Sequence, residues 1–501
     1  MDVRAGRQSC LNATDLAPVR PFVDGVFAPS RGRRSFLAKN PATGEDLCEF
    51  GAGSAEDVDD AVRSARTAFN AGRWRAMTPS ARRAILRLWA DRIEACADWL
   101  DHLDALTMGK PVTTQTFSAR HGAGLVRFYA EAADKWRGEA LASDEGATVV
   151  SKRVPRGIVA GIVSWNFPAY NFLLKAAPAL AAGNCVIMKP SEMATHSALK
   201  LAELALEAGL PAGVLNVVPG LGSEVGRALA EHGDIDMVAF TGSSAVGKLV
   251  LRGAALSNMK ASAVECGGKS PHVVVDDSVD LDVVADTIAA MITLNQGQIC
   301  SVGSRVIVRE DLHDGLLERV RERMGRVSPG DPQDAATNYG PLASLGQMEK
   351  ILSYIDIAKV EGASLVAGGR RRPDWGEGYF VEPTIFTKVA PDSRLACEEV
   401  FGPVLAFQSF RTLEEAAAIA DVAPFGLAAY VWTKASDSAW RLANKIRSGF
   451  TLLSGGAPLS EGAGFGLPLE PAGLSGLGVE GGLAGLETYM RRHTIWLNHG
   501  V

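Results

Sequence analysis

The sequence predicts an α/β protein in which two parallel-sheet domains follow one another along the chain. Short apolar runs alternate with helical stretches from Gly157 onward, and a second series of the same kind begins near Ser270. At 501 residues the chain is also too long for one ordinary core and long enough for two or three domains.

Composition narrows the class. Hydrophobic residues make up 47% and charged residues 22%, which suits a well-packed enzyme-sized protein and excludes wholesale disorder. The net charge of -6 is modest and the basic residues are scattered, the longest run being Arg370 to Arg372, so nothing is arranged to neutralise a nucleic-acid backbone. Seven cysteines at irregular spacing form no disulfide framework, and a reducing cytoplasm is the expected location. The N-terminal stretch MDVRAGRQSCLNATD has no apolar run behind its arginines and does not read as a secretory signal. Gly157 to Leu174 is uncharged, but its glycines, Asn166 and Pro168 make it strand then turn and no membrane span.

The elements follow in order. Ser54 with Asp57 three positions on predicts a capping box, and Val58, Ala61, Val62, Ala65 and Phe69 continue it as an amphipathic helix. Thr78-Pro79 starts a second helix, whose apolar stripe through Ile85, Leu86, Trp89, Ile93 and Leu100 runs on until Gly109-Lys110-Pro111. GIVAGIVS, CVIM, VLNVV, MVAF and SAVEC are the strands of the first sheet; HVVVDD, SRVIVRE, VLAFQSF, LAAYVWT and FTLLSG are those of the second. Such alternation implies right-handed crossovers, with ligands at the carboxyl ends of the strands. Gly455 to Gly485 is dense in glycine and reads as a loop, and HTIWL near the C-terminus reads as a terminal strand.

Several turns carry chemistry-bearing residues. Cys300 lies in NQGQICSVGSR with no second cysteine or histidine spaced to share a metal, so it reads as a reactive thiol or a small buried hydrophobe. Ser164-Trp165-Asn166-Phe167-Pro168 follows the first strand, where Asn166 can aim an amide donor at a ligand or serve the turn. Lys189, Ser191 and Glu192 follow the next strand, where a lysine and a glutamate can take ribose hydroxyls or stand on a solvated loop. Gly242-Ser243 opens a helix and suits a phosphate, although the G-x-G-x-x-G spacing is absent. Glu265 ends an apolar strand before Cys266 and a double glycine, as a surface carboxylate or a general base in a cleft. Glu399 repeats the theme beside Phe401.

From about Asp24-Gly25 to the C-terminal strand, these motifs in this order resemble the aldehyde dehydrogenase superfamily. YAEAADKWRGE from Tyr129, SNMK from Ser257 and HTIW from His493 are most similar to its γ-glutamyl-aminobutyraldehyde dehydrogenase branch. The resemblance implies two Rossmann-like domains with a small β oligomerisation element. It implies an NAD-binding domain over 1–132 and 152–265, a catalytic domain over 266–460, and an assembly element over 133–151 and 476–501. It further implies a homodimer or homotetramer that oxidises a small aldehyde with NAD in preference to NADP.

The roles carry over position by position. Cys300 matches the nucleophile, Glu265 the base for deacylation, Asn166 the oxyanion donor, and Lys175 a lysine near that asparagine. Ser164, Trp165, Lys189, Ser191, Glu192, Gly220, Gly242, Ser243, Cys266, Glu399 and Phe401 match positions along the cofactor. Phe167, Tyr170, Asn171, Ile299, Ser301 and Arg120 match or border the substrate pocket. A catalytically silent relative would be expected to have lost Cys300, Glu265 or Asn166, and a CoA-acylating one to have lost Glu265; all three residues are present. Ser164 stands where a proline is usual, Ser454 where an asparagine is, and Val479 where an arginine is. The positive side chains of Arg120 and His121 near a substrate mouth are expected to disfavour a cationic aminoaldehyde.

Overall fold

In a computed structural model, residues 11, 16–456 and 464–499 are described. The N-terminal stretch read for a signal, Cys10 and part of the glycine-dense segment lie outside them.

The capping box forms as the spacing predicts. The Ser54 side chain accepts from Asp57 N, the Asp57 side chain accepts from Ser54 N, and the helix Ala55–Asn70 follows. The second helix begins after Thr78 as expected, but its apolar stripe is shared by two helices. Pro79–Ala95 ends at Cys96, whose φ of -109° and ψ of 6° break the ladder, and Ala97–Met108 resumes it. Gly109 then stops the chain with φ of 84°, the left-handed cap that glycine adopts without a Cβ clash.

The first sheet has eight strands. Its parallel centre runs Leu215–Val217, Cys185–Lys189, Ile158–Ile162, Met237–Thr241, Ala261–Glu265. Antiparallel strands close both edges, among them Gly476–Leu477 from the tail. The chain builds outward from Ile158–Ile162 in one direction and then returns to its other side at Met237–Thr241. The switch point, where the two outgoing turns diverge and leave a crevice, therefore lies between these two strands.

The second sheet has seven strands, with Thr384–Thr387, Val404–Phe410, Gly303–Arg309, Ser270–Val274, Ala428–Trp432 and Phe450–Ser454 parallel. It contributes to the site from the amino ends of its strands, which reverses the carboxyl-end expectation for this half. Cys300 precedes Gly303–Arg309, the double glycine precedes Ser270–Val274, and Glu399 to Gly402 precede Val404–Phe410.

A separate three-stranded antiparallel sheet joins Glu139–Leu141, Ala147–Pro155 and Met490–Asn498. Its middle strand continues past residue 151, where the assembly element was expected to stop. The described end of the glycine-dense segment is more ordered than a loop, since Gly476–Leu477 pairs with Val264 and Glu265 and the helix Gly482–Thr488 follows. Among the described residues, no helix is long and apolar enough to cross a membrane.

Candidate active site

Proline at the first helical position starts the helix Pro168–Ala181 directly after the turn that holds Asn166. Asn166 is 5% exposed, and its Nδ2 donates to the Gln298 carbonyl at 3.0 Å. In return, Asn295 Nδ2 donates to the Asn166 carbonyl at 2.8 Å. The asparagine turn and the cysteine loop are thus joined across two domains by reciprocal bonds.

The cysteine loop is shaped by its backbone. Asn295, Gln296 and Gly297 have φ of 45°, 54° and 69°, a left-handed run that asparagine and glycine tolerate better than most residues. A Cβ at Gly297 would stand 2.4 Å from the Gly402 carbonyl oxygen, so glycine is what lets the loop meet the Phe401-Gly402 turn. Gln298 is fully buried, its Nε2 donating to Asn295 O at 3.1 Å and its Oε1 accepting from Ala343 N at 3.1 Å. On the other side of the cysteine, Tyr430 donates to the Ser301 carbonyl at 3.0 Å.

Cys300 is half-buried. Burial, followed by the charges of Glu399 and Glu265, pushes its thiol up to about 12. Glu265 is 6% exposed, and neither of its carboxylate oxygens has a protein partner. Burial first and Glu480 second hold it well above the usual carboxylate range, while Lys175 acts in the opposite direction. A buried carboxylate with open lone pairs is suited to receiving a proton from water.

Glu480 was not singled out by sequence reading. It lies among tail glycines, with no motif around it, and it pairs with Lys175 Nζ beneath the site. Ser475, also missed, accepts from Gly426 N at 3.0 Å and donates to Gly267 O at 2.7 Å, tying the tail to the double glycine. Glu399 Oε1 accepts from Gly268 N at 3.0 Å, and a Cβ on Gly267 would fall 2.0 Å from its other oxygen. Phe401, at φ of 58°, meets Trp165 edge-on at 5.4 Å.

The crevice at the switch point has the features of a dinucleotide site. Lys189 is 2% exposed at the end of its strand, its Nζ donating to Pro190 O at 2.8 Å and reaching Glu192 at 3.5 Å. Burial lowers the lysine, so an added anionic or hydroxyl partner would be favourable there. Ser191 is buried beside it. Ser243 caps the 13-residue helix Ser244–Leu256, whose N-terminus opens on the same crevice. Gly242 packs against the Phe240 ring, and Gly220 approaches Gly53, each too closely for a side chain. Cys266 is buried, its N–H donating to Ser475 O at 2.8 Å.

The residues expected to line the substrate pocket divide into four groups. Phe167 and Tyr170 are buried and form an aromatic wall with Phe117, which lies 4.7 Å and 5.0 Å from them. His121 and Phe465 extend that wall, the histidine ring lying 5.2 Å from Tyr170 and 5.0 Å from Phe465. Ile299 is buried and Ser301 is half-buried on either side of the cysteine. Asn171 and Ser164, expected at substrate and cofactor, turn their polar atoms to Asn166 instead. Arg120, half-exposed, pairs at 3.3 Å with Glu94 and with Asp98 on the neighbouring helices.

A model of the aldehyde dehydrogenase family matches residues 27–495, nearly the whole chain. The chain belongs to the aldehyde dehydrogenase family. Among curated relatives of this enzyme, the aminoacetaldehyde dehydrogenase of Pseudomonas aeruginosa is 41% identical over 89% of both chains. Aldehyde dehydrogenase 1 of Tanacetum cinerariifolium is 40% identical over 96% of both. Among solved structures, the indole-3-acetaldehyde dehydrogenase of P. syringae, in complex with NAD+ and IAA, superposes with a TM-score of 0.92 at 39% identity, covering 97% of this chain and 98% of its own. The γ-glutamyl-γ-aminobutyraldehyde dehydrogenase of Burkholderia cenocepacia gives 0.93 at 39% identity over the same shares.

Proposed function

We propose that this aldehyde dehydrogenase oxidises its aldehyde to a carboxylate with NAD, through a thiohemiacetal and then a thioester on Cys300. The observation that carries the reading is the joining of three groups from distant parts of the chain. The Asn166 turn is bonded to the Cys300 loop, and Glu265, with two open oxygens, acts electrostatically on the same thiol.

Burial holds the Cys300 thiol protonated at pH 7, so attack on the aldehyde carbon needs its proton to leave as the bond forms. Solvent takes that proton, and Glu265 keeps the later role of base for deacylation. The oxygen of the resulting tetrahedral adduct becomes negative, and the second Nδ2 hydrogen of Asn166, not used on Gln298, is available to it. Bound NAD would supply the hydride acceptor, seated by Lys189, Glu192 and Ser243 along the crevice and by Glu399 and Phe401 at its inner end. Glu265 then draws a proton from the water that cleaves the thioester. Cytoplasmic action is part of the same reading, consistent with the described cysteines all being unpaired.

The test is rapid-mixing measurement of NADH. Cys300→Ala is expected to lose aldehyde oxidation by orders of magnitude while still binding NAD. Glu265→Gln is expected to give one burst of NADH per active site and then stall. Turnover within about twofold of wild type in the cysteine variant would overturn the nucleophile assignment.

A second part of the reading concerns assembly. On the strand Met490–Asn498, Trp496 is 73% and Leu497 57% exposed, and Ile495 and Val150 add apolar area on the same small sheet. An open edge strand with this much apolar surface is one that a second copy would cover, giving a homodimer or a dimer of dimers.

A further inference from the structure

The Asn166 amide is held by a ring of three side chains. Its Oδ1 accepts from Ser164 Oγ at 2.8 Å and from Asn171 Nδ2 at 3.0 Å, and Asn171 Nδ2 also donates to Ser164 Oγ at 3.0 Å. On the opposite side Nδ2 donates to Gln298 O at 3.0 Å. An asparagine amide has two donor hydrogens and one oxygen with two acceptor sites. Here both acceptor sites and one hydrogen are occupied, which leaves a single N–H for a ligand.

Turning this amide over would set its NH2 against the NH2 of Asn171 and its oxygen against the Gln298 carbonyl. Both contacts would be repulsive in a buried site, where an unmade hydrogen bond is costly. The ring depends on side chains particular to this sequence. A proline at position 164, usual in the resemblance drawn above, has no hydroxyl to bridge the two asparagines.

We propose that Ser164 and Asn171 are positioning residues that lock the Asn166 amide in the one orientation presenting an N–H to the tetrahedral oxyanion on Cys300. This rests on the oxyanion role given to Asn166 under Proposed function. The consequence is that Asn171, although next to the aromatic wall, acts on the rate of acylation and not on the choice of aldehyde.

The experiment is single-turnover NADH formation on the full-length enzyme, with aldehyde and NAD each varied. Asn166→Ala sets the scale and is expected to slow the burst by about 10²-fold or more. Ser164→Ala and Asn171→Leu are each expected to slow it about tenfold, with the aldehyde concentration for half-maximal burst and the affinity for NAD within about twofold of wild type. Ser164→Thr, which keeps the hydroxyl, is expected to recover most of the rate. Neither substitution should slow the burst further in an Asn166→Ala background, because a clamp has no effect once the clamped group is gone. Wild-type burst rates in both single variants, additive losses in the Asn166→Ala background, or a raised half-maximal aldehyde concentration at unchanged rate would each overturn the proposal. A full-speed burst in Asn166→Ala would overturn the oxyanion assignment itself. Failure of the clamp alone is distinguished from that by a slow Asn166→Ala beside unaffected Ser164 and Asn171 variants.

Discussion

Lys175 and Glu480 form a buried ion pair although 305 residues separate them, and the pair lies against Glu265. The lysine comes from the helix that begins just after Asn166, and the glutamate from the glycine-rich tail whose neighbouring strand pairs with Glu265 itself. Burial keeps Glu265 protonated to unusually high pH; the Glu480 charge adds to that effect and the Lys175 charge opposes it. With Glu265 as the proposed base, the three groups together would set when it becomes available.

The direction of this coupling is testable. Only ionised Glu265 can take a proton, so the rate of thioester hydrolysis rises as pH climbs through its raised pKa. Removing the Glu480 charge with Glu480→Gln takes away a raising influence and is expected to move that rising limb to lower pH. Lys175→Met removes the lowering influence and is expected to move it up. Steady-state kcat measured from pH 6 to 10 checks both, and shifts in the same direction for the two variants would refute the arrangement.

Cofactor choice is expected to follow from Glu192. Its carboxylate is 40% exposed beside a nearly buried Lys189, where it would accept ribose hydroxyls and repel a 2′-phosphate. Wild type is expected to favour NAD over NADP by several-fold in kcat/KM, from a repulsion of about 1 kcal/mol. Glu192→Gln should narrow that ratio mainly by improving NADP. An unchanged ratio would mean that Lys189 offsets the carboxylate.

Assembly should depend on the exposed end of the C-terminal strand. Trp496→Asp places a charge where 73% of a tryptophan now faces outward and is expected to shift the species in solution toward the 52.9 kDa monomer. Light scattering at micromolar concentration reads this directly. A wild-type mass already at the monomer value would remove the case for an interface there.

Substrate choice is expected to follow the aromatic wall, because Arg120 is paired with Glu94 and Asp98. Arg120→Ala should leave the ratio of kcat/KM for 4-aminobutanal and a neutral aldehyde of similar length within about twofold. Phe465→Ala, which removes a ring 5.0 Å from His121, should lower kcat/KM for an arylacetaldehyde by about tenfold and for acetaldehyde much less. A large change of the first ratio would restore Arg120 to the substrate path.

What the sequence determined by itself are the features that neighbouring residues decide. Ser54 and Asp57 cap one helix, Thr78-Pro79 starts another, and short apolar runs ending in Asn166, Lys189, Gly242 and Glu265 are strand ends with polar turns, all because cap, turn and strand chemistry acts over a few positions. Cys300, Glu265 and Asn166 stood out as candidates for the same reason, while the roles proposed for them came from the resemblance carried by the motifs together. Tertiary structure alone decided which distant groups met them. Glu480 has no local signal, and only the return of the tail to the sheet edge brings it to Lys175 and Glu265. Arg120 and His121 differ by one position, yet helical geometry turns successive residues by about 100°, so one pairs with Glu94 and Asp98 and the other joins the aromatic wall. The use of the amino ends of the second sheet is likewise a matter of how two domains pack, since strand periodicity is the same whichever end of a strand faces a ligand.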